Sequence, residues 1–203
     1  MVTGRGTVSF QIKGSYGRKA PSKFTSMLKP IVFWNLTSRC NLYCQHCYIS
    51  ASPRGWAAEL SKAEALNVVS DIIELGLPLV TLTGGEPLLR DDFWDIAGRL
   101  IEGGVKVAVS TNGTLISEDV AVKLAKLGVS YVGISLDSVN PQFHDMFRGV
   151  RGAFNGALRG VESSLKAGIP VGLRMTLTRY NVGEAPALVE LARSRGVKRI
   201  AFY

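Results

Sequence analysis

Residues 61–83 of this 203-residue chain read SKAEALNVVSDIIELGLPLVTLT and contain one complete helix-to-strand unit. The first four residues, Ser61 to Glu64, form a capping box, a common signal for the start of a helix. Gly76 suits the position just after a helix, where a left-handed backbone is often needed. The run Leu79–Thr83 is typical of a buried strand. The helical part carries an apolar stripe at helical spacing: Leu66, Val69, Ile72 and Ile73.

The same unit recurs along the chain from residue 31 onwards. Five joints place a glycine where a helix ends, followed by an apolar residue that leads into a strand: Gly76, Gly104, Gly128, Gly168 and Gly196. Six runs are predicted as strands: Ile31–Thr37, Leu79–Thr83, Lys106–Thr111, Tyr131–Leu136, Val171–Leu177 and Arg199–Tyr203. Alternating strands and helices predict an α/β fold with parallel strands, five intervening helices and right-handed crossovers. An open sheet and a partial barrel both fit, and in either case functional residues gather at the carboxyl ends of the strands.

Charge divides the chain into two parts. Residues 1–30 contain six Lys or Arg and no Asp or Glu, so they hold +6 of the formal net charge of +8. We therefore predict a basic N-terminal extension (1–30) and a core domain (31–203). The extension is either a solvated segment or a means of attracting an anionic partner. The core ends on a predicted strand, so we expect it to be truncated at its C-terminal side.

Composition narrows the functional classes. Hydrophobic residues make up 46% of the chain and charged residues 20%, as in ordinary globular proteins. No apolar run reaches membrane-spanning length, and no nucleic-acid-binding motif is evident. The three cysteines are clustered, which does not suit a disulfide framework and favours a reducing cytoplasm.

Those three cysteines, Cys40, Cys44 and Cys47, directly follow the first predicted strand. Thiolates this close in sequence can converge on one metal centre. Three are one short of the four that usually hold an iron–sulfur cluster, which leaves one iron open for chemistry. Two alternatives remain: a zinc site completed by His46, and buried structural thiols.

Other candidate residues follow later strands. Gly84, Gly85 and Glu86 come after the second strand, where the glycines allow close backbone approach and the carboxylate suits an ammonium group. A flexible turn explains them equally well. Asn112 follows the third strand.

The fourth and fifth strands add further polar side chains. Ser135 and Asp137 lie at the end of the fourth strand and suit either sugar hydroxyls or helix capping. Arg174 lies within the apolar fifth strand, where it needs an anionic partner, and its fork suits a carboxylate.

Cys40-x3-Cys44-x2-Cys47 together with Gly84-Gly85-Glu86-Pro87 resembles the radical S-adenosylmethionine (SAM) superfamily over residues 31–203. The resemblance implies a partial (β/α)6 TIM-like barrel. It also implies a [4Fe–4S] cluster held by the three cysteines, with SAM chelating the open iron. Reductive cleavage of SAM would give a 5′-deoxyadenosyl radical, which abstracts a hydrogen atom from a substrate.

The resemblance also assigns roles to the other candidates. Gly84, Gly85 and Glu86 match the stretch that holds the methionine amino group, and His46 matches a position against the adenine. The remaining matches to SAM-binding positions are Asn112, Ser135, Asp137 and Arg174.

A finer resemblance points to the heme-maturation branch of the superfamily. It rests on Phe33–Thr37, Gly84–Arg90, Tyr131–Asp137, Phe147–Gly149, Leu173–Asn181 and Ile200–Tyr203. It implies an anionic iron tetrapyrrole as substrate in heme biosynthesis and an electron donor such as a ferredoxin or flavodoxin. Members of this branch usually carry a C-terminal extension with more cysteines, which this chain lacks. The alternatives are a peptide-modifying radical SAM maturase and a non-catalytic metal-binding or truncated scaffold.

Overall fold

Six parallel strands form one sheet in this computed structural model, which describes residues 29–56 and 58–203. The strands lie in sequential order from β1 to β6, and each neighbouring pair is parallel. All six predicted strands are confirmed, with ends that differ by at most two residues. Their bounds are β1 Val32–Thr37, β2 Leu79–Gly84, β3 Lys106–Thr111, β4 Tyr131–Ser135, β5 Val171–Met175 and β6 Arg199–Phe202.

Helices connect successive strands. Within the described residues they are α1 Lys62–Glu74, α2 Phe93–Glu102, α3 Glu118–Leu127, α4 Pro141–Arg148, α5 Ala153–Lys166 and α6 Ala185–Ser194. Short 3-10 turns, Pro87–Leu89 and Val182–Glu184, precede α2 and α6. The prediction of five intervening helices was wrong, because the β4–β5 connection contains both α4 and α5. The signals for α4 are present in the sequence: Asn140 caps it, Pro141 begins it, and Gly149 follows it with a φ of 73°.

Local signals at the other helix ends act as predicted. The Ser61 side chain accepts from the backbone N–H of Glu64, and the Glu64 side chain accepts in return from the Ser61 N–H. Ser117 caps α3 through the N–H of Val120. All five predicted joint glycines have a positive φ, between 59° and 95°. Such values strain residues that carry a Cβ atom, so these glycines define where the chain turns back to the sheet.

The sequential strand order decides between the two predicted architectures. Successive right-handed crossovers that always move in one direction put every helix on the same face of the sheet. An open doubly wound sheet reverses its order so that helices cover both faces. The core lies between the sheet and its single helical layer, and its largest fully buried members include Leu82, Phe93, Ile96, Leu100 and Leu124. The fold is therefore a partial (β/α)6 barrel with no pairing between β1 and β6.

The basic N-terminal extension predicted for residues 1–30 falls almost wholly outside the described residues. Lys29, at its end, donates to the carbonyl of Leu75. Within the described ranges, none of the helices is both long and apolar enough to cross a membrane.

Candidate active site

A cavity of about 260 Å³ opens at the carboxyl ends of the strands, where the sequence predicts the functional residues. All three cysteines line it, together with His46. The strand ends and the turns after them contribute further residues to its wall, among them Gly84, Gly85, Ser110, Asn112, Ser135 and Thr176.

Each cysteine sulfur accepts a hydrogen bond. The backbone N–H of Leu42 donates to Cys40 Sγ at 3.4 Å, and the N–H of Ala51 donates to Cys47 Sγ at 3.2 Å. Arg148 Nη1 donates to Cys44 Sγ at 3.6 Å. Three free thiols on one cavity, each with a donor that stabilises a thiolate, form a suitable donor set for an iron–sulfur cluster.

Burial raises the pKa of Cys40 to about 11 and also raises the pKa of Cys44. Without iron both groups are therefore thiols at neutral pH. Iron binds thiolates, so loading of the site releases these protons.

The loop after β1 that carries Cys40, Cys44 and Cys47, here called the cysteine loop, is anchored to the first strand. The N–H of Cys40 donates to Ser52 O, and the N–H of Ser52 donates to Ser38 O. Glu59 accepts from the Ser38 backbone, the Ser38 hydroxyl and the Thr37 hydroxyl, and these hydrogen bonds lower the pKa of Glu59 despite its burial. These contacts fix both ends of the loop against β1.

The C-terminal end of α4 holds the opposite side of the loop. The N–H of Tyr43 donates to Arg148 O, and the N–H of Gln45 donates to Phe147 O, both at 3.0 Å. The ring of His46 stacks on Phe147 at 4.3 Å between centroids. A side chain at Gly149 would overlap Tyr43, so the glycine permits this close approach.

His46 lines the cavity and is held in place by Phe147 and Asp137. Its Nε2 lies 3.6 Å from Asp137 Oδ2, and burial lowers its pKa. No group of three or more His, Cys, Asp or Glu side chains in the described ranges could hold a single metal ion. The three cysteines are included in that finding, and the imidazole of His46 is held by stacking on Phe147 and by the contact with Asp137.

Gly84 and Gly85 allow close approach, but between chain segments. A Cβ atom at Gly84 would overlap the carbonyl of Thr37, and one at Gly85 would overlap the carbonyl of Arg39. The Gly85 N–H donates to Thr37 O at 2.7 Å. The glycines therefore seat the second strand against the start of the cysteine loop, while their backbone still lines the cavity.

Glu86 departs from the sequence prediction that it presents a carboxylate to an ammonium group. Its side chain is completely buried and does not line the cavity. The carboxylate accepts from the Thr111 hydroxyl and from the backbone N–H groups of Asn112 and Leu88. Burial raises its pKa to about 7. In this structure Glu86 joins the ends of β2 and β3.

Asn112, which Glu86 positions, does line the cavity. Its side-chain amide donates to Asn41 Oδ1 at 2.9 Å and approaches Cys40 Sγ at 3.9 Å. Its oxygen accepts from the N–H and hydroxyl of Thr114. Asn112 therefore connects the end of β3 to the cysteine loop.

Ser135 and Asp137 lie two residues apart but have different surroundings. Ser135 lines the cavity. Asp137 is completely buried behind it, where it pairs with Arg148 Nη2 at 2.6 Å and accepts from the N–H of Thr176. Its own N–H donates to Nδ1 of His144, whose pKa burial lowers to about 4. Asp137 thus holds Arg148 and His46 in place instead of facing the cavity.

Arg174 also lies off the cavity wall. Its guanidinium crosses Gly133 and donates through Nη1 to the hydroxyl of Ser110. Ser110 and Ser135, the register partner of Arg174, both line the cavity. Arg174 is therefore one layer below the cavity, inside the barrel.

Sequence reasoning missed the role of Arg148, which lines the cavity and contacts both Cys44 and Asp137. It also missed Thr176, which follows the end of β5 and lines the cavity. This threonine could have been found by counting every hydroxyl at a carboxyl end. Arg148 carries no comparable local signal, since its position depends on how α4 packs on the cysteine loop.

The fold and site define a class: a partial parallel β/α barrel with a three-cysteine pocket at the carboxyl ends of its strands. Residues 34–192 match the radical SAM superfamily, and the chain belongs to that family. Members of this family use a [4Fe–4S] cluster and SAM.

Curated relatives are similar over most of the chain. It is 42% identical over 204 residues to an Fe-coproporphyrin III synthase of Methanosarcina barkeri, covering 98% of this chain and 51% of the relative. It is 44% identical over 171 residues to a pre-heme d1 synthase of Dinoroseobacter shibae, covering 84% and 42%. These relatives agree with the predicted heme-maturation branch. The chain spans about half of the length of the curated relatives that it matches.

A solved structure confirms the barrel. Streptococcus suis SuiB bound to S-adenosylmethionine has a TM-score of 0.71 and 19% identity, covering 85% of this chain and 39% of SuiB. At this identity the likeness concerns the fold alone.

Proposed function

We propose that residues 31–203 are the core of a radical SAM enzyme that acts on a carboxylate side chain of an iron tetrapyrrole. The observation that carries this proposal is the cavity shared by Cys40, Cys44 and Cys47, in which every sulfur has a hydrogen-bond donor. When bound, the cluster and SAM supply one-electron cleavage of SAM and a carbon radical for hydrogen abstraction. The protein's own residues bind, orient and shield these groups.

The cysteines would hold three irons and leave the fourth open towards SAM. Asn112 and Ser135 suit SAM because their polar side chains line the cavity beside the cysteine loop. The backbone of Gly84 and Gly85 forms another part of the wall, and the ring of His46 offers a flat surface for the adenine. Glu86 and Asp137 act as positioning residues, through Asn112 and Arg148 respectively.

The substrate class rests on the relatives and on charge. Two relatives are named as synthases of Fe-coproporphyrin III and of pre-heme d1, which are tetrapyrroles. Coproporphyrins carry several carboxylate side chains, and the chain has a formal net charge of +8, of which residues 1–30 hold +6. Opposite charges favour encounter with such a polyanion.

Two further requirements follow from the proposed chemistry. The cluster must be reduced, so a small electron carrier such as a ferredoxin or flavodoxin is proposed as a partner. Free thiols and a reduced cluster need a reducing compartment, for which we propose the cytoplasm.

Product analysis tests this function. The anaerobically reconstituted chain is incubated with SAM and dithionite, with and without an iron tetrapyrrole that bears both acetate and propionate side chains, and 5′-deoxyadenosine and tetrapyrrole masses are measured. We expect 5′-deoxyadenosine together with loss of mass from the tetrapyrrole, and neither product from a Cys44→Ser variant. No 5′-deoxyadenosine would contradict SAM cleavage. 5′-Deoxyadenosine with an unchanged tetrapyrrole mass would contradict the substrate class alone.

A further inference from the structure

The charges on the six strands all have the same sign. The strands contain three basic residues, Lys106, Arg174 and Arg199, and no acidic residue. What these charges can bind depends on which face of the sheet they lie on.

Register places these charges on the face of the sheet that lines the barrel. Arg199 pairs with Gly172 across β5 and β6, two residues before Arg174 on the same strand, so both arginines lie on one face. The alternate residues of β5, among them Leu173 and Met175, are buried against the helices. The inner face of the sheet thus carries the positive charge, with Arg174 half-buried and Lys106 and Arg199 exposed at the amino ends of their strands. The outer face of the sheet is apolar.

Two glycines make room for the largest side chains of this interior. The guanidinium of Arg174 on β5 lies across Gly133 on β4, and the ring of Tyr131 on β4 lies across Gly172 on β5. A Cβ atom at either glycine would overlap the side chain that crosses it. The side chains of Arg174 and Tyr131 therefore lie along the sheet in opposite directions, each over a glycine that leaves the space it needs.

The two guanidinium groups have no carboxylate partner among the described residues. The Cζ atoms of Arg174 and Arg199 lie 6.0 Å and 5.7 Å from the centroid of the Tyr131 ring. Within residues 29–56 and 58–203, no Asp or Glu oxygen lies within 4 Å of either group, and Arg174 Nη1 is bonded only to the Ser110 hydroxyl. A half-buried guanidinium gains most from a carboxylate that accepts two parallel hydrogen bonds.

We propose that Arg174 binds a carboxylate of the substrate inside the barrel, with Arg199 adding positive potential below it. This inference rests on the proposed function and identifies the group by which the tetrapyrrole is held. Ser110 and Ser135 connect the arginine to the cavity wall, so a substrate that extends from the cavity into the barrel meets the guanidinium. The assignment differs from the sequence prediction, which gave Arg174 to SAM.

The inference is tested by titrating the cluster-reconstituted chain with iron coproporphyrin III. Binding is measured from the Soret absorbance under anaerobic conditions. We expect Arg174→Gln to raise the Kd for this probe about tenfold, because a charge-assisted double hydrogen bond is lost. Arg174→Lys keeps the positive charge but lacks the two parallel donors of the guanidinium, and should raise the Kd for the probe about threefold. The Kd for SAM, measured in parallel, should change less than twofold in both variants.

Two further variants separate local from general effects. Gly133→Ala keeps Arg174 but places a methyl group in the seat of its guanidinium, and should weaken probe binding as Arg174→Gln does. Arg193→Gln removes an exposed positive charge from α6 and should leave the Kd within twofold. If Arg174→Gln does not fold, as judged by circular dichroism, Arg174→Lys decides: a raised Kd supports the inference and an unchanged Kd overturns it.

The other outcomes are distinguishable. Wild-type affinity for the probe in Arg174→Gln would overturn the inference and leave the proposed function standing. Equal losses of SAM and probe affinity would return Arg174 to the cofactor and overturn the inference too. An unaltered chain that binds SAM but not iron coproporphyrin III would overturn the proposed substrate class, and the inference with it.

Discussion

The two faces of the sheet differ in almost every property. The outer face is apolar and is covered by helices over the central strands, with Leu82, Val109 and Ile134 completely buried. The inner face carries small, hydroxyl-bearing and basic side chains, such as Thr81, Ser110 and Arg174. The outer face supplies hydrophobic stabilisation, whereas the inner face keeps room for ligands at the cost of that stabilisation. Variants on the two faces should therefore separate stability from binding.

The largest functional effect is expected at the cysteine loop. Cys44→Ser should reduce iron content after reconstitution from about four atoms per chain to below one, because two thiolates hold a cubane cluster poorly. The unfolding free energy of the apoprotein should change by less than about 1 kcal/mol, because Cys44 lies outside the main core. Iron analysis and urea unfolding measure the two quantities. A full cluster in this variant would remove the cysteines as the ligand set.

The largest stability effect is expected on the outer face. Leu82→Ala should lower the unfolding free energy by about 3–5 kcal/mol, because it leaves a cavity in a fully buried site. The inner-face neighbour Thr83 provides the matched control, since Thr83→Ala should cost less than about 1 kcal/mol. Urea denaturation of the apoproteins compares them. Equal losses would mean that the two faces do not differ as described.

At low pH the folded protein should lose the unfolding free energy that the neutral His144, buried behind the cavity, contributes. Burial lowers the folded-state pKa of His144 to about 4, below its usual value near 6.5, so the unfolded chain takes up the proton first. The resulting stability is present above pH 6.5 and is lost as the pH falls towards 4, by up to about 3 kcal/mol.

Glu86 gives the opposite slope, because its raised pKa means that the folded protein holds the proton more tightly than the unfolded chain. The stability from this group is fully present below about pH 4.5 and is lost as the pH rises towards 7. The wild type must therefore be compared with His144→Gln, in which the acid-dependent part should disappear. Urea unfolding of the apoproteins from pH 4 to 7 measures this difference. Parallel stability curves for the two proteins would show that His144 does not titrate as expected.

The smallest effect is expected at a helix end remote from both faces. Ser117→Ala removes the N-cap of α3 and should cost about 1 kcal/mol, with unchanged iron content. Lys166→Ala breaks only the exposed pair with Glu118 and should cost less than about 0.5 kcal/mol. Thermal or urea unfolding measures the loss of unfolding free energy in the two variants. A larger loss for Lys166→Ala than for Ser117→Ala would reverse the assigned order.

The strands and most helices could be predicted because their signals are local. Gly76 and its four counterparts end helices through their own backbone conformation, and Ser61 acts on a residue three positions away. α4 was missed as a separate helix because it has only eight residues and the pattern of one helix per strand was applied to the whole chain.

For the site, too, the residues with local signals could be predicted and those placed by long-range packing could not. The three cysteines could be identified because they lie within eight positions of sequence. Glu86 was placed in the cavity by prediction, but Thr111 and Asn112 on the next strand determine where its carboxylate points. Arg148 reaches Cys44 across 104 positions of sequence, a contact that only the packing of α4 creates.

The central claim is that three cysteines hold a [4Fe–4S] cluster whose fourth iron is open to SAM. Anaerobic iron–sulfur reconstitution, followed by EPR of the reduced chain with and without SAM, tests it most directly. We predict a [4Fe–4S] signal that shifts when SAM is added. Stoichiometric zinc with no such signal, or a cluster signal that SAM leaves unchanged, would contradict the account.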